Sequence, residues 1–530
     1  MATVADRIVQ SLRHAGVRAL FGVPGGGSNL DLIAAAGRAG LPFVLTATET
    51  AGAMSAIAQA EITGAPGACL TTLGPGATSV VNGIACAFLE RAPLVVFTDS
   101  QPASAPYAHQ RVDHGALLKP VTKSSETLTV ENAQDAITRA LQTATDGQPG
   151  PVHLDCPGDV ASAPAQTVGF GSNAGVVPTH TELSRLEAVF ATARRPLLLA
   201  GLGAIRLRQD LRVADLCEQH RVPGMVTYKA KGVIPDDHPW FAGVFTNATI
   251  EQPLIDESDL LIGVGLDPVE LIPRAWTRRQ PIVYFGSWAA ENAHIPFDLQ
   301  VIGAHSETLT QLDSLLGPTE WDPSAVARDV RRQRDLVARA DHTGFTAQRV
   351  VEIAAKRLAT VGARVTVDAG AHMFPATVLW PVAAPRTMLI SNGLSTMGFA
   401  LPAAIGAALL DRERPVVALT GDGGLLMCLG ELLTAVREQL RIVTIVFADD
   451  SLSLIEIKQQ ARKLPPAGVS LGGIDWQAIA RGFGVRAFGA TNGCELERAI
   501  DAARDSHAPA LIEARIDRSN YGDTMRAVRG

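Results

Sequence analysis

A strand–turn–helix–strand pattern in residues 416–450 leaves few folds open to this chain. The apolar run Val416–Thr420 leads into the Gly-Asp-Gly-Gly turn Gly421–Gly424, and a helix-period segment follows. A second β-rich run, Ile442–Phe447, ends next to Asp449. Two strands joined by a helical crossover predict a parallel α/β sheet. The acidic residues after the strands then lie at the sheet edge where such folds bind ligands.

The chemistry of this edge indicates a site for phosphate and a divalent cation. Glycine turns and helix N-termini favour phosphate groups. The carboxylates of Asp422 and Asp449 offer the oxygen ligands that Mg²⁺ prefers beside phosphate oxygens. A Gly-Asp-Gly sequence on its own is more often an ordinary turn without a metal. The strand and helix context is what favours the magnesium–diphosphate interpretation.

The Gly-Asp-Gly turn, followed at this distance by a second oxygen ligand, resembles the signature of thiamine diphosphate enzymes. Most of that family has an Asn pair at the second position, whereas this chain has Asp449 and Asp450, which adds negative charge. The chain resembles the thiamine-dependent 2-oxoacid enzymes over nearly its whole length, and in particular acetolactate synthase-like proteins. The resemblance implies that Mg²⁺ is held by Asp422, Asp449 and the carbonyl of Ser451. It also implies that the cofactor contacts Gly421, Asp422, Gly423, Gly424, Asp449, Ser451 and Leu452.

Length and composition favour a multi-module globular protein. The chain has 530 residues, 47% of them hydrophobic and 19% charged, which suggests about three domains. A net charge of -7 does not indicate the basic surface that nucleic-acid binding requires. No apolar run is long enough to span a membrane. The N-terminal segment predicts an amphipathic helix without a signal-peptide core. The six cysteines form no CxxC pair and are interpreted as buried residues. We therefore expect a cytoplasmic protein that binds neither nucleic acid nor membrane.

Apolar runs that alternate with helical stretches predict an α/β fold of three doubly wound parallel-sheet modules. We place the modules at residues 1–164, 182–317 and 346–518, and a Pro- and Gly-rich linker follows the first. The first and third modules share one rhythm, and the polar tail Ser519–Gly530 is expected to fray. By resemblance, the first module binds the pyrimidine ring and the third binds the diphosphate. The middle module is then structural or binds a nucleotide.

Glu49 follows the predicted strand Pro42–Thr46 and begins a helix among small apolar residues. A carboxylate in such surroundings is poorly solvated unless it is paired. The family places a glutamate here against a pyrimidine ring nitrogen, where the shared proton promotes removal of the thiazolium C2 proton. Thr48 stands where the family often has His. The alternative is a helix-start glutamate stabilised by the helix dipole.

The segment Thr71–Thr78 resembles the family's pyrimidine-side loop, although a generic strand–helix turn remains an alternative. Its glycines permit close approach of the backbone to a ligand. The cofactor contacts that the resemblance implies here are Thr72, Gly74, Pro75 and Gly76.

Two segments of the third module complete the cofactor-side predictions. Ser391–Gly398 resembles the segment that bends the cofactor, with Met397 between its rings and the Ser395 carbonyl accepting from the 4′-amino group. Ala371 and His372 resemble the diphosphate-contacting turn. Met is also a common core filler, and a lone His is often a structural hydrogen-bonding group, so both alternatives remain open.

The substrate side is less well defined by the sequence. Gly26 lies in a Pro-Gly-Gly turn similar to that of acetolactate synthase-like carboligases, and benzoylformate decarboxylase-like enzymes have Ser there and His near Thr72. Acetolactate-type enzymes have an aromatic–Gln pair in the matching stretch, whereas here His109 replaces the aromatic residue and Gln110 remains. Both would face the acceptor unless they belong to a surface loop, and the replacement argues against pyruvate as the substrate. Lys458 would pair with a carboxylate or be a solvated helix lysine. We therefore assign catalytic roles to Glu49, Gly26, Gln110 and His109.

The combined prediction is thiamine diphosphate- and Mg²⁺-dependent decarboxylation of a 2-oxoacid, with carboligation of the remaining fragment to an acceptor carbonyl. The alternative is a non-ligating decarboxylase or C–C lyase that releases an aldehyde. Gly263–Asp267 does not resemble the arginine–acid stretch of FAD-bearing relatives, so we do not expect bound FAD. The glycine pattern at Gly201 and Gly203 has Arg206 where a third glycine would be needed, which argues against a flavin or nicotinamide oxidoreductase. A remnant that binds cofactor without catalysis is a third alternative. Because the family joins Glu49 and Asp422 across a subunit interface, the resemblance implies a homodimer or homotetramer.

Overall fold

The computed structural model describes residues 2–102, 105, 109–165, 183–205, 212–290, 294–338 and 344–530. These residues contain three six-stranded sheets whose paired strands are all parallel, with helices around each sheet. The predicted three-module α/β fold is confirmed. Most of the predicted linker between the first two modules lies outside the described residues.

The first sheet has the strand order β2-β1-β3-β4-β6-β5. Its N-terminal helix begins at a capping box, in which Thr3 and Asp6 each accept a hydrogen bond from the other's backbone N–H. The strands are β1 (Leu20–Val23), β2 (Phe43–Leu45), β3 (Gly67–Thr71), β4 (Leu94–Ser100), β5 (Ser124–Thr127) and β6 (Pro151–Pro157). The helices are α1 (Val4–His14), α2 (Ser28–Ala39), α3 (Glu49–Thr63), α4 (Pro75–Ser79), α5 (Val81–Leu89), α6 (His114–Leu118), α7 (Ala133–Thr145) and α8 (Gly158–Ala161), with a 3₁₀ turn at Lys119–Val121.

The middle sheet has the order β12-β11-β10-β7-β8-β9, which is the strand order of dinucleotide-binding folds. Its strands are β7 (Pro196–Ala200), β8 (Gly224–Val226), β9 (Phe241–Val244), β10 (Leu260–Val264), β11 (Ile282–Gly286) and β12 (Leu299–Ile302). The helices are α9 (Leu183–Thr192), α10 (Leu202–Ile205), α11 (Arg212–His220), α12 (Gln252–Glu257), α13 (His305–Leu315) and α14 (Pro323–Ala338), with a 3₁₀ turn at Pro268–Glu270.

The third sheet, β14-β13-β15-β16-β18-β17, repeats the strand order of the first, as the shared rhythm predicted. Its strands are β13 (Arg364–Val367), β14 (Met388–Ile390), β15 (Val416–Gly421), β16 (Ile442–Ala448), β17 (Arg486–Ala490) and β18 (Ala510–Arg515). The helices are α15 (Ala347–Leu358), α16 (Met373–Leu379), α17 (Ala400–Leu410), α18 (Asp422–Met427), α19 (Glu431–Arg437), α20 (Ser453–Ala461), α21 (Trp476–Gly482), α22 (Gly493–Asp505) and α23 (Tyr521–Arg529), with a 3₁₀ turn at Ala359–Val361.

Helices α3 and α17 join the first and third modules. Both are rich in small apolar residues and almost fully buried. The Ser55 hydroxyl donates to the Pro402 carbonyl at 2.8 Å, and a Cβ atom at Gly406 would lie 2.2 Å from the Ser55 carbonyl oxygen. Only glycine therefore permits this helix–helix distance.

Lys229 of the middle module is buried where all three modules meet. Its ammonium lies 2.5 Å from Glu61 and 3.0 Å from Glu90, both of the first module, and donates to the Ile390 carbonyl of the third at 3.1 Å. Burial alone would lower the pKa of Lys229, but the two carboxylates raise it, so the charge persists. Removing one partner of such a buried pair costs about 3–5 kcal/mol. The contact therefore fixes how the modules sit together.

Two expectations about the ends and the cysteines were wrong. The tail does not fray: α23 packs its Tyr521 and Val528 into the third module, because apolar residues recur along one face of an otherwise polar segment. Five cysteines are buried, but Cys494 is exposed. Among the residues that the structure describes, none of the helices has both the length and the apolar character that crossing a bilayer requires.

Candidate active site

The carboxyl ends of β13, β15 and β16 border a cavity of about 370 Å³, all of whose lining residues fall within 369–529. These strands adjoin one another, and parallel strands end at the same sheet edge. The structure therefore brings the third-module predictions into one cavity: Ala371, His372, Ser395, Met397, Gly421, Asp422, Gly423, Gly424, Asp449, Ser451 and Leu452. Lys458 lines the same cavity.

Asp422 begins helix α18 and is 2% exposed. One carboxylate oxygen accepts hydrogen bonds from the backbone N–H groups of Asp449 and Asp450, at 2.8 and 2.7 Å. The other oxygen accepts from the Trp476 indole at 2.7 Å. Burial raises the pKa of Asp422, although these hydrogen bonds oppose that shift. The side chain is thus fixed in orientation and ties the two acidic strand ends together.

Asp449 supplies the second carboxylate of this edge. It accepts hydrogen bonds from the Ser451 N–H at 3.0 Å and from the Ser453 hydroxyl at 2.7 Å. Burial, with the nearby charge of Asp422, raises the pKa of Asp449 to about 6. The side chains of Asp422, Asp449, Ser451 and Ser453 all present oxygen atoms, and two neighbouring carboxylates are electrostatically unfavourable without a cation. The residues therefore fit a Mg²⁺ ion.

We expect Asp449→Asn to stabilise the chelator-treated protein at pH 8 by about 1–2 kcal/mol, after discounting for partial solvent screening. The pKa of Asp449 rises from 3.8 in the unfolded chain to about 6 in the folded protein, so the folded state binds this proton more tightly. The resulting stabilisation is fully present below pH 3.8. This contribution is lost as the pH rises through about 6. Urea unfolding at pH 8 and pH 5 measures the difference, which should shrink at the lower pH. A difference that grows on acidification would contradict the assignment.

His372 lies beside the glycine turn and stacks on Phe447, with ring centroids 4.9 Å apart and an interplanar angle of 19°. Burial lowers the pKa of His372 to about 4, opposed by a hydrogen bond with the Leu419 backbone. Its Nε2 atom is buried and has no hydrogen-bond partner within the described residues. Nε2 can donate to a diphosphate oxygen once the ring gains a second proton, which the negative charge of such a ligand would favour.

Asp368, the first residue of the segment that resembles the diphosphate-contacting turn, organises the loop that contains Ser395 and Met397, a role that the sequence did not indicate. Its fully buried carboxylate accepts from the N–H groups of Gly398 and Phe399 and from the Thr420 hydroxyl at 2.8 Å. Burial raises the pKa of Asp368 to about 6. Ser395 has a φ of +53°, a strained conformation for a residue with a side chain. The loop is therefore held in a conformation that it would not adopt alone.

Further residues of this site come from distant parts of the chain. Trp476, at the start of α21, donates to Asp422 and is fully buried. Tyr521 and Arg529 of α23 line the cavity, and the Arg529 guanidinium lies 4.9 Å from the Phe374 ring centroid. No sequence pattern signalled these contacts, and the expectation of a frayed tail excluded the last two.

The first module gathers the other predicted residues at the ends of β1 and β3. Glu49 is the first residue of α3, and its Oε1 atom would lie 3.2 Å from a Cβ atom on Gly76. A Cβ atom on Gly25 would lie 2.5 Å from the Thr72 hydroxyl. The buried carboxylate of Asp99 fixes the turn around Gly26 by accepting from the Gly27 N–H, the Ser28 hydroxyl and the Asn29 N–H.

Gln110 touches this group through its backbone, because its carbonyl oxygen would lie 2.4 Å from a Cβ atom on Gly74. The side chains of His109 and Gln110 are exposed in the single chain. Ala108, which precedes them, lies outside the described residues. The structure thus places Gln110 beside the Gly74 turn and leaves the acceptor roles of both residues as predictions.

The two groups of predicted residues lie on separate modules of one chain. The cavity around Asp422 is lined by the third module and its C-terminal extension, whereas Glu49 contacts the Gly76 turn of the first. Glu431 of the third module reaches the first at another point, accepting from the N–H groups of Ala47 and Thr48 at 2.9 and 3.2 Å.

An acidic side chain from the 3₁₀ turn Pro268–Glu270 packs against the glycine turn of the middle module. Glu270 accepts from the Leu202 N–H at 2.7 Å and from the Thr227 hydroxyl at 2.5 Å, and burial raises its pKa to about 8. Its carboxyl would lie 2.9 Å from a Cβ atom on Gly201. A nucleotide phosphate would compete with this carboxyl for the start of α10, which supports the prediction that FAD does not bind. Arg206 lies outside the described residues.

The chain matches three models of thiamine pyrophosphate enzymes: the N-terminal TPP binding domain over residues 2–117, the central domain over 183–312, and the C-terminal TPP binding domain over 368–514. The chain therefore belongs to the thiamine pyrophosphate enzyme family. It is a thiamine diphosphate-dependent enzyme of the carboligase and decarboxylase class, as the motifs predicted.

Curated relatives align with 97% of the chain. They include a catabolic acetolactate synthase of Raoultella terrigena, 30% identical over 95% of that protein. An acetolactate synthase of Bacillus subtilis is 30% identical over 93% of its length. A probable 2-ketoarginine decarboxylase of Pseudomonas aeruginosa is also 30% identical, over 94% of its length.

Proposed function

We propose that this enzyme decarboxylates a 2-oxoacid and joins the remaining fragment to an acceptor carbonyl, as acetolactate synthases do. The space at Gly26 is the observation that carries this choice. In the single chain, Gly26 is exposed and a Cβ atom built on it has no neighbour within 4 Å, so the turn held by Asp99 does not itself fill the space beside Gly26. The serine that benzoylformate decarboxylase-like enzymes have at the Gly26 position and the histidine that they have near Thr72 are both absent, so neither side chain can protonate the decarboxylated fragment.

When bound, thiamine diphosphate supplies a carbon nucleophile that adds to the keto carbon and retains the electron pair left when CO₂ departs. Glu49 would share a proton with its pyrimidine ring. Asp422, Asp449 and the Ser451 carbonyl would hold Mg²⁺, and the Nε2 atom of His372 would face the diphosphate. The pinned loop around Met397 would position the rings for reaction.

The alternative is decarboxylation without ligation. The similarity to a probable 2-ketoarginine decarboxylase favours it, as does His109 at the position of an aromatic residue. Incubation with pyruvate and longer 2-oxoacids, followed by product analysis, separates the two activities. A 2-hydroxyketone or acetohydroxyacid product supports ligation, and aldehyde alone would overturn it.

We expect Gly26→Ser to shift the products from ligated ketone towards aldehyde by about tenfold, which corresponds to about 1.4 kcal/mol in relative barrier height. The serine would fit the open space and place a proton donor near the decarboxylated carbon. Gly26→Ala is the matched control because it adds similar bulk without a hydroxyl. Equal product ratios in the two variants would contradict a proton-donor effect.

Assembly and location belong to the same proposal. The two groups of cofactor residues lie on separate modules, and the family joins such groups across a subunit interface. A homodimer or homotetramer would therefore complete each site, and analytical ultracentrifugation tests this. The six cysteines are free, which supports a reducing, cytoplasmic compartment. The partners would be the 2-oxoacid and an acceptor carbonyl.

A further inference from the structure

A hydrogen-bonded histidine in the first module supports the Gly74 turn. The Gly74 N–H donates to Nε2 of His114 at 3.1 Å, and Nδ1 of His114 lies 2.8 Å from Asp155. His114 is only 4% exposed. Since Nε2 accepts a hydrogen bond, the ring proton is on Nδ1 and is donated to the carboxylate. The contacts therefore assign both the tautomer and the orientation of this ring.

The network continues from Asp155 towards the surface. The Thr98 hydroxyl donates to Asp155, and its oxygen lies 2.8 Å from Nε2 of His153. Nδ1 of His153 lies 2.7 Å from the hydroxyl of the exposed Ser125. Burial alone would raise the pKa of Asp155, but its histidine and threonine partners lower it. Each donor meets one acceptor along the network when both rings are neutral and Asp155 is ionised.

The Gly74 turn connects this network with the candidate catalytic residues. Gly74 has a φ of +59°, and a Cβ atom there would lie 2.4 Å from the Gln110 carbonyl oxygen. Two residues later, a Cβ atom on Gly76 would lie 3.2 Å from Oε1 of Glu49. The turn is therefore confined between His114, Gln110 and Glu49. Loss of the His114 contact would release its N-terminal end.

We infer that His114 is a positioning residue: in its neutral form it holds the Gly74 turn in place for the pyrimidine side of the cofactor, and protonation of Nε2 releases the turn. This role rests on the proposed function, which assigns the turn to the cofactor. Protonation would place an N–H group against the Gly74 N–H, so the hydrogen bond is lost.

Solvent has access to this network. His114 and Asp155 line a cavity of about 390 Å³, and the Asp155 side chain is 15% exposed. Besides Asp155 and His153, the titratable and charged groups on the surrounding elements are Arg111, Asp113, Lys119, Glu126 and Asp159. Among the described residues, Asp155 is the charged group that is hydrogen-bonded to the His114 ring.

A metal site is the competing interpretation, because ligand atoms of His114, His153 and Asp155 lie within 4.8 Å of one another. Both nitrogens of each ring already have hydrogen-bond partners. A cation on Nδ1 of His114 would force the proton onto Nε2, against the Gly74 N–H. The positioning role requires no such rearrangement.

Two substitutions separate the two sides of the His114 ring. His114→Gln can present an amide oxygen near the Nε2 position, towards Gly74, whereas His114→Asn can reach only towards Asp155. We expect His114→Asn to weaken thiamine diphosphate binding about fivefold to tenfold at pH 7.5, as for one lost hydrogen bond. His114→Gln should change it by less than about twofold. His220→Gln is the control, because His220 pairs with Asp313 at 2.7 Å in the middle module.

The pH profile provides the second measurement. Between pH 7.5 and 5.5 the affinity of the unmodified enzyme should fall more steeply than that of His114→Gln, whose amide does not titrate. Amide hydrogen exchange of the peptide covering residues 71–79, measured without cofactor, should accelerate in His114→Asn and remain slow in His114→Gln. Thermal unfolding of the cofactor-free variants controls for general destabilisation.

Equal exchange and equal pH profiles in all three proteins would overturn the role of His114. Zinc that copurifies with the enzyme and is lost in both variants would also overturn it, in favour of a metal site. The exchange experiment needs no cofactor. An unmodified enzyme that binds no thiamine diphosphate would therefore refute the proposed function, while the exchange result still decides whether His114 holds the turn.

Discussion

Asp422→Ala should abolish retention of thiamine diphosphate and Mg²⁺ during gel filtration. The substitution removes a proposed metal ligand and leaves three donors, the N–H groups of Asp449 and Asp450 and the Trp476 indole, without their acceptor. Each buried donor left unsatisfied costs about 1–3 kcal/mol. We therefore expect affinity for the Mg²⁺–cofactor pair to fall by at least about a thousandfold, measured by fluorescence quenching and by cofactor content.

Asp450→Asn is the matched control for this loss. Asp450 adjoins the metal loop and has a φ of +57°, a conformation that Asn tolerates, and its carboxylate lies 3.8 Å from Arg515. It is not a proposed ligand, so its variant should retain the cofactor. Circular dichroism would establish that Asp422→Ala is folded. A folded Asp422→Ala protein that keeps the cofactor at ordinary concentration would refute the metal assignment.

Glu49→Gln should slow exchange of the cofactor C2 proton by about 10²–10⁴-fold, the range of general acid–base contributions. The amide cannot take up the proton that the carboxylate shares with the pyrimidine ring. Because Glu49 lies away from the Asp422 cavity of its own chain, Mg²⁺-dependent cofactor binding should remain largely intact. Deuterium exchange at C2, followed by acid quench and NMR, measures the rate directly.

Glu307→Gln tests the structural alternative for Glu49. Glu307 also lies in the first turn of a helix, α13 of the middle module, and loses a comparable favourable interaction with the helix dipole. If Glu49 acted only as a helix-start residue, both variants would show the same small loss of stability and unchanged exchange. An unaltered exchange rate in Glu49→Gln would remove this residue from the mechanism.

The fold was predictable where local patterns match the secondary structure. Buried parallel strands such as β4 and β15 are continuous apolar runs, and the acidic strand ends next to glycines located the cavity around Asp422. Edge strand β5, Ser124–Thr127, escaped prediction because its residues are polar and mostly exposed. Edge strand β17 escaped for a similar reason, since only its last residue is buried.

The parts of the site that sequence did not reveal depend on long-range contacts. Trp476 meets Asp422 across 54 residues, and His114 meets Gly74 across 40. Asp368 accepts from the Gly398 N–H across 30 residues. Trp476 and His114 stand in no motif, and their roles follow from contacts that only the tertiary structure brings together. Helix α23 was missed because a polar composition concealed its single apolar face.

The ion cluster around Lys229 bears on how such enzymes can be recombined. A chimera whose central domain comes from a relative would gain or lose Lys229, while Glu61 and Glu90 stay with the first module. Either mismatch leaves a buried charged side chain without its partner. Domain shuffling within this group of proteins should therefore succeed more often when these three positions are exchanged as one unit.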